Sequence, residues 1–217
     1  MPDSRVLVVD DHPILRRGIA ELVQHEPNFE VCAEAGSATE ALEQLARHPI
    51  DLAIVDLSLA GLSGIDLLET LRMRHPTVRT LVMSMHDETL YAERALRAGA
   101  RGYVMKQEAT RQILHALRCI QDGEIWVSER MRQRLLSRVA EAPAASRGGT
   151  DLTRLTDREL EIFRLIGRGL KTGEIAQMLH RSVNTVEAHR AAIKRKLAVT
   201  TGTELARLAF QAFEGDA

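Results

Sequence analysis

Short apolar runs alternate five times with amphipathic segments in the first half of the chain. The apolar runs predict strands at 6–9, 30–34, 52–55, 80–83 and 102–105. The amphipathic segments predict helices at 13–25, 38–47, 64–74, 88–98 and 109–121. Strands that alternate with helices form parallel sheets with helices on both faces. We therefore expect a doubly wound, five-stranded parallel sheet of the α/β class.

The second half of the chain has helical periodicity alone. Its pattern predicts helices at 157–167, 172–179, 182–197 and 203–213. Before them, residues 140–150 are rich in Ala, Gly, Ser and Pro and predict a flexible linker, preceded by a basic helix at 128–139. We expect an α/β domain at 1–124, a partly helical linker at 125–150, and an all-α four-helix domain at 151–217.

Charge is divided unevenly along the chain. Residues 1–124 hold 13 Lys and Arg against 19 Asp and Glu, whereas residues 125–150 hold 5 against 2 and residues 151–217 hold 11 against 9. An acidic half is thus joined to a mildly basic one. So small a basic excess is weak evidence for nucleic-acid binding, because a solvated helix face gives the same count.

Several classes of protein are disfavoured by composition. No apolar run approaches the roughly 20 residues of a membrane-spanning helix, and the start of the chain lacks the layout of a signal peptide. We expect a cytoplasmic protein without a membrane partner. Cys32 and Cys119 lie in apolar segments without metal-ligand spacing, which favours buried reduced thiols over a disulfide or a zinc site.

Polar residues follow four of the five predicted strands, and they are Asp10, Asp11, Asp56, Ser84 and Lys106. The carboxyl ends of parallel strands meet at one edge of a sheet, where ligands bind. Three neighbouring carboxylates repel one another and suit Mg²⁺ with several waters retained. A carboxylate beside Mg²⁺ can attack a phosphoryl group, while a lysine and a hydroxyl stabilise the phosphoryl oxygens. Taken singly, each residue is equally typical of a turn or a solvated surface.

The first half resembles the receiver domain of two-component response regulators, through VLVVDDHPILRRGI, DLAIVDLSLAGLSGIDLL, TLVMSMHDE and GARGYVMK. The resemblance covers residues 1 to about 124 and implies a flavodoxin-like fold. It implies that Asp56 is the phosphoacceptor, with Lys106 as the phosphoryl partner and Ser84 and Tyr103 as switch residues. The Mg²⁺ ligands it implies are Asp10, Asp11, Asp56 and the backbone carbonyl of Ser58.

Two positions depart from the receiver pattern. Ala60 stands where the family usually has Pro, and Gln107 follows Lys106 where many receivers have a cis Pro. A cis bond before a residue other than proline costs about 2.5–4 kcal/mol, so the geometry after Lys106 is in question. Neither departure removes an expected ligand.

Apolar positions of the helical half define three amphipathic faces around a small core, at Leu160, Phe163, Leu165, Ile166, Ile175, Ala176, Leu179, Val183, Val186, Ile193 and Leu197. Short connections join these helices, as in a helix-turn-helix whose second helix enters the major groove. The segment resembles the LuxR/NarL-type DNA-binding domain, through LTDRELEIFRLI, EIAQMLHRSVNTVEAHR and IKRKL. The expected DNA-binding residues are Thr172, Asn184, Thr185, Glu187, Ala188, Arg190, Ala191, Lys194 and Arg195.

Gly173 and Gly202 stand where many relatives carry basic residues, so we expect a monomer to bind DNA weakly. His189 is expected to be a structural histidine. The predicted function is that of a DNA-binding transcriptional regulator, not an enzyme. A sensor histidine kinase would phosphorylate Asp56 with Mg²⁺ as cofactor, promoting homodimerisation, with the helix at 203–213 as a partner surface, and binding to a double-stranded operator.

Two alternatives remain open from the sequence. A Mg²⁺ phosphatase also uses a nucleophilic Asp at a strand end, although the chain has no segment typical of a substrate cap. A protein-binding module would sequester a partner without touching DNA.

Overall fold

The computed structural model describes residues 4–59, 64–85, 88–140, 152–179 and 181–213. These residues form two compact units, which divide between Ala142 and Pro143. The described chain contains no helix long and apolar enough to cross a membrane. Each unit is treated separately below.

The first unit is built on a five-stranded sheet in which every pair of neighbours is parallel. Its strands are β1 (Ser4–Val9), β2 (Phe29–Ala35), β3 (Leu52–Asp56), β4 (Arg79–Ser84) and β5 (Gly102–Met105). Their order across the sheet is β2-β1-β3-β4-β5. In this order the chain turns back beside β1, so β1 and β3 are the neighbours at which ligands of such sheets bind. The expected doubly wound parallel sheet is confirmed.

Five helices connect or follow these strands: α1 (Pro13–Gln24), α2 (Ala38–Arg47), α3 (Gly64–Arg74), α4 (Glu88–Ala98) and α5 (Ala109–Gln121). Their starts follow local chemistry. Pro13 occupies the first position of α1, where a missing N–H costs nothing. The hydroxyl of Ser37 caps α2 by accepting the Glu40 amide at 3.2 Å.

The sheet is covered on both faces, which explains its apolar strands. Val6, Val8, Leu52 and Ile54 are fully buried and pack with residues of α1 and α5. Every residue of β3 is buried. Such burial requires short, wholly apolar strands, and this is the pattern that the sequence carries.

Residues 125–140, which we expected in a linker, pack on the first unit. Trp126 forms a bridge with Gly102 beside β5, and the helix α6 (Glu129–Ala140) contacts α4. Met131 of α6 is 1% exposed. Helix α6 packs on the first unit because it buries Met131 there and because hydrogen bonds hold its first turn. The rest of the expected linker, 141–150, lies outside the described residues.

The second unit contains a short 3₁₀ turn (Leu152–Arg154) and the helices α7 (Asp157–Gly167), α8 (Thr172–Met178), α9 (Val183–Leu197) and α10 (Gly202–Phe213). Thr156 caps α7 in a capping box with Glu159. Helix α7 packs against both α9 and α10, and α8 packs against α9. The expected four-helix fold is confirmed.

Some details of the expected core were wrong. Val183 is 50% exposed because it is the first residue of α9, whereas Val186 and Ile193 of the same helix are buried as expected. Ile162, which the helical pattern did not single out, is fully buried. Cys32 and Cys119 are free but only half-buried. Cys32 falls where the pairing of β1 with β2 shifts by one residue, which draws its side chain out of a regular strand position.

Candidate functional site

The polar strand ends of the first unit converge at the carboxyl edge of the sheet. Asp10 and Asp11 directly follow β1, Asp56 ends β3, and Lys106 directly follows β5. Both Asp10 and Asp56 are fully buried. Because β1 and β3 are paired neighbours, the two carboxylates come together from chain positions 46 residues apart.

Lys106 bridges the two buried carboxylates. Its Nζ lies 2.7 Å from Oδ2 of Asp56, as a hydrogen bond, and 2.8 Å from Oδ2 of Asp10, as an ion pair. The lysine side chain is only 4% exposed. Burial alone would lower the pKa of Lys106, but the charges and hydrogen bonds of Asp56 and Asp10 together raise it above the ordinary value. Lys106 therefore stays a cation at this site.

Asp56 is held in an environment suited to a nucleophilic carboxylate. Burial raises its pKa above the ordinary value, and Lys106 offsets only part of this rise. The backbone amide of Ser58 donates to Oδ1 of Asp56 at 3.1 Å. One carboxylate oxygen thus faces a cation and the other a backbone donor, which fixes the orientation of the carboxylate. The carbonyl of Ser58 stays a predicted metal ligand.

The donor set fits a hard divalent cation. Asp10, Asp11, His12 and Asp56 each offer a ligand atom, and these atoms all lie within 4.8 Å of one another. Oδ2 of Asp10 is buried and lies against the Lys106 ammonium. The cluster holds three carboxylates, two of which share this lysine, and carboxylates in a buried cluster are costly unless cations balance them. The three carboxylates suit Mg²⁺, as the sequence predicted.

Two residues that support this cluster were not identified from the sequence. Arg16, on α1, donates from Nη1 to the backbone carbonyl of Asp10 at 2.6 Å and pairs with Glu34. The amide of His12 donates to Oδ1 of Asp10 at 2.8 Å. Their proximity depends on how α1 begins behind β1. A sequence signal exists only for Arg16, which is one turn into an amphipathic helix.

Ser84 and Tyr103, the predicted switch residues, lie on adjacent strands and are both buried. Ser84 ends β4, and its carbonyl accepts the Lys106 amide at 2.8 Å. Tyr103 belongs to β5, and its amide donates to the carbonyl of Trp126 at 3.0 Å. No cis peptide bond occurs in the described part of the chain, so the bond between Lys106 and Gln107 is trans. Ala60 lies outside the described residues.

Gly64 is a further site residue that sequence reasoning missed. A Cβ at this position would lie 2.3 Å from the carbonyl oxygen of Asp56 and 2.5 Å from Cα of Leu57. The amide of Gly64 donates to the Leu57 carbonyl at 3.1 Å. The start of α3 therefore packs directly on the backbone of the predicted phosphoacceptor. The available signal was a glycine at the first position of a helix, where other residues are better formers.

The second unit presents an exposed face on α9. Ser182 caps this helix, accepting the amide of Thr185 at 3.1 Å. The predicted contact residues that are exposed on this helix are Asn184, Thr185, Glu187, Ala188, Ala191 and Arg195, while Arg190 and Lys194 are half-buried. The last turn of α9 carries Lys194, Arg195 and Lys196. Polar and basic groups on one helix suit a reading helix.

Glu187 joins the two helices of this motif. Its Oε1 accepts the Thr172 hydroxyl of α8 at 2.7 Å, and Arg190 lies 3.8 Å from the same oxygen. These contacts partly neutralise an acidic group on a face expected to meet phosphates. His189 is half-buried, and burial is the main cause that lowers its pKa, so it is predominantly neutral at pH 7. This agrees with the expected structural histidine.

Comparison with known proteins decides the family. Residues 6–118 match the response regulator receiver domain, and residues 153–209 match the bacterial regulatory proteins of the luxR family. The chain belongs to the two-component response regulators with a LuxR-type DNA-binding domain. Both matched segments fall within the units described above, one in each. The expected family and fold class are confirmed.

This response regulator has relatives of nearly the same length. It is 36% identical to the nitrate/nitrite response regulator protein homolog of Haemophilus influenzae, over 90% of each chain. It is 35% identical to the nitrate/nitrite response regulator protein NarP of Escherichia coli K12, over 92% of each.

Solved structures of RcsB are similar to the response regulator as well. RcsB of Salmonella typhimurium matches with a TM-score of 0.64 and 26% identity, over 98% of this chain and 99% of that one. An RcsB–DNA complex matches with a TM-score of 0.58 and 26% identity, over 97% and 98%.

Proposed function

We propose that a sensor histidine kinase phosphorylates this response regulator on Asp56, with Mg²⁺ as cofactor, and that the phosphorylated chain dimerises and binds operator DNA. The observation that carries the proposal is the Lys106 ammonium shared by two buried carboxylates. A cation placed against the carboxylate that attacks also lies where the phosphoryl oxygens arrive. The protein would act in the cytoplasm, the compartment of its DNA.

In the proposed transfer, an oxygen of Asp56 attacks phosphorus and the phosphorus–nitrogen bond of a phosphohistidine breaks. The product is an acyl phosphate, and the histidine of the kinase leaves and takes up a proton. Lys106 stabilises the phosphoryl oxygens and Ser84 donates its hydroxyl to one of them. Mg²⁺, held by Asp10, Asp11, Asp56 and the Ser58 carbonyl, neutralises charge when bound. The chain acts as an enzyme only toward itself, at Asp56.

A switch is proposed to follow phosphorylation. Ser84 ends β4 and Tyr103 lies on the adjacent β5, so movement of one is transmitted to the surface near the other. Phosphorylation would favour one of two existing arrangements. Dimerisation then places two reading helices on a pseudo-palindromic operator, and α10 is the proposed partner surface of the second unit. Phe210 of α10 is 55% exposed, which supports this choice.

The proposed DNA contacts divide between α8 and α9. Glu187, Ala188 and Ala191 are proposed to face base edges, with Asn184 and Thr185 beside them. Arg190, Lys194 and Arg195 are proposed to contact phosphates, and Thr172 to orient Glu187. Because Glu187 repels phosphates, affinity would come from two half-sites bound together rather than from one.

The test compares the wild type with Asp56→Asn, and uses Asp122→Asn as a matched control at an exposed position outside the site. Each protein is treated with a small phosphodonor and Mg²⁺, and intact mass and binding to genomic DNA fragments are measured. Wild type and Asp122→Asn should gain one phosphoryl group and bind DNA more tightly. Equal phosphorylation and equal DNA binding of Asp56→Asn would refute the proposal.

A further inference from the structure

His12 contacts the acidic cluster through its side chain. Its Nδ1 lies 2.8 Å from Oδ1 of Asp11 and 3.3 Å from Oδ1 of Asp10. The ring is 68% exposed, so it is held at the mouth of the site rather than in the core. A proton on Nδ1 accounts for both distances, as a hydrogen bond to Asp10 and a close contact with Asp11. A metal ion bound by the carboxylates would take the place of that proton and leave the Nδ1 lone pair free to coordinate it.

The spacing fits coordination of one ion. Donors bound to one octahedral ion at about 2.1 Å lie about 3 Å apart when adjacent and about 4.2 Å apart when opposite. The donor atoms of Asp10, Asp11, His12 and Asp56 lie within 4.8 Å of one another, so side-chain shifts of about 0.6 Å at most would bring them to these spacings. Carboxylates and water suit Mg²⁺, whereas imidazole is a ligand for first-row transition ions. The nitrogen therefore adds an interaction that Mg²⁺ does not use.

We propose that His12 is an additional ligand, through Nδ1, when a first-row transition cation occupies this site in place of Mg²⁺, and that it raises the affinity for such a cation. The proposal rests on the metal site proposed above. The exposed His12 side chain would then determine how strongly the site binds a first-row transition cation, with the same carboxylate ligands as for Mg²⁺.

The experiment uses Mn²⁺ as the probe and the full chain as wild type, His12→Asn and His25→Asn. His25 is a matched control, because it is exposed and, among the residues that the structure describes, its Nδ1 contacts the Glu21 carbonyl of its own helix. Pulsed electron paramagnetic resonance detects whether a ¹⁴N nucleus is bound to Mn²⁺. Affinities for Mn²⁺ and Mg²⁺ are measured by calorimetry.

Wild type and His25→Asn should show the ¹⁴N coupling, and His12→Asn should lack it. His12→Asn should weaken the affinity for Mn²⁺ about tenfold and change the affinity for Mg²⁺ less than about twofold. Mn²⁺ bound without ¹⁴N coupling in the wild type, or coupling that persists in His12→Asn, overturns the proposal. Failure of the wild type to phosphorylate Asp56 with Mg²⁺ would instead overturn the proposed function, and is measured separately by mass.

An independent set of contacts joins α4 to α6. Glu88, the first residue of α4, is 8% exposed. Its Oε1 accepts the Ser128 amide at 2.9 Å, and its Oε2 accepts the Ser128 hydroxyl. The same hydroxyl accepts the amide of Met131 at 3.1 Å, which caps α6. We name Glu88, Ser128 and Met131 the clasp.

The clasp lies close in sequence to both predicted switch residues. Glu88 is four residues after Ser84, and Ser128 is two residues after Trp126, whose carbonyl accepts the Tyr103 amide. Helix α6 is also the last described element before the chain continues to the second unit. A displacement of β4 or β5 at the phosphorylation site therefore acts on the residues that hold α6.

We infer that the clasp holds α6 on α4 in the unphosphorylated chain and that phosphorylation of Asp56 loosens it. This inference rests on the proposed function. The buried carboxylate explains the coupling, because both oxygens of Glu88 accept hydrogen bonds from Ser128, the residue that caps α6. A small displacement of either helix breaks both bonds and leaves a buried charge uncompensated.

Hydrogen exchange of the α6 amides in the full chain tests the clasp. The variants are Ser128→Ala and, as a matched control within α6, Ser137→Ala, whose hydroxyl donates to the Gln133 carbonyl and, in the described part of the chain, to nothing of α4. Exchange is measured with and without Mg²⁺ and beryllofluoride, a mimic of the phosphoryl group, in wild type and Asp56→Asn. Fluorine magnetic resonance reports whether beryllofluoride is bound.

Ser128→Ala should speed exchange in α6 about tenfold without beryllofluoride, and Ser137→Ala should not. Beryllofluoride should speed exchange of the α6 amides in wild type and leave that exchange unchanged in Asp56→Asn. Equal exchange in the two serine variants overturns the clasp. Bound beryllofluoride that leaves α6 exchange unchanged overturns its coupling to phosphorylation, whereas failure of beryllofluoride to bind Asp56 overturns the proposed function instead.

Discussion

Substituting Gly64 by alanine should destabilise the first unit, although alanine is the better helix former. The new Cβ would lie 2.3 Å from the Asp56 carbonyl oxygen, and real Cβ contacts are essentially never shorter than 3.0 Å. Two backbone segments must therefore separate by about 0.7 Å, and overpacking of this kind costs about 1–3 kcal/mol. The gain in helix propensity is at most about 1 kcal/mol. We expect a net loss of about 1–2 kcal/mol.

Gly18→Ala is the matched control. Gly18 lies inside α1, and a Cβ there would meet nothing within 4 Å, so alanine should stabilise by about 0.5–1 kcal/mol. Urea unfolding followed by tryptophan fluorescence reports this unit selectively, because the single tryptophan, Trp126, packs against its core. Opposite shifts of the two midpoints are expected. Equal stabilisation by both variants would refute the close approach of α3 to Asp56.

Three further predictions concern the second unit. Burial alone would raise the pKa of Glu159, but the hydrogen bonds from Lys196 and Thr156 outweigh it and lower the pKa below its ordinary value. The stabilisation is therefore complete above the ordinary pKa of about 4.3 and is lost as pH falls through the lower folded value. Glu159→Gln should lower the free energy of unfolding by about 1–3 kcal/mol at pH 7, measured by hydrogen exchange of the α7 amides. The difference in stability between the two proteins should disappear in acid, and a difference that stays the same at low pH contradicts this. Ser182→Ala should cost about 1 kcal/mol at the start of α9, seen as faster amide exchange there but not in α10. Arg195→Ala should lower the salt dependence of DNA binding by about one unit in log–log slope, and an unchanged slope would remove Arg195 from the phosphate contacts.

Alternating patterns predicted most of the fold because strands that are buried on both faces of a sheet are short apolar runs in the sequence. The helix bounds 38–47, 64–74, 88–98 and 109–121 agree with α2 to α5. The cluster of Asp10, Asp11, Asp56 and Lys106 was also predicted from the sequence. Four residues that each end or follow a parallel strand must meet at one edge of the sheet, so chain order alone brings them together.

Contacts that depend on tertiary packing have no comparable pattern in the sequence. Val183 is apolar and in helical register, yet it is exposed because the first residue of α9 lies beyond its packed face. The basic helix expected at 128–139 is present as α6, but its packing on the first unit was not predicted, because its polar, basic composition hides the buried Met131 and the hydrogen bonds of Ser128.

Periodicity and residue types along the chain were enough to predict the succession of strands and helices, the residues of the acidic site and the family to which the chain belongs. These follow from periodicity and from residue types at strand ends, which are local properties of the chain. Three contacts were found from the folded structure: Gly64 packs on Asp56, His12 faces the carboxylates, and Glu88 accepts hydrogen bonds from Ser128. Each of these is a distance of a few ångströms between separately placed groups, and such distances are fixed by how helices pack on the sheet.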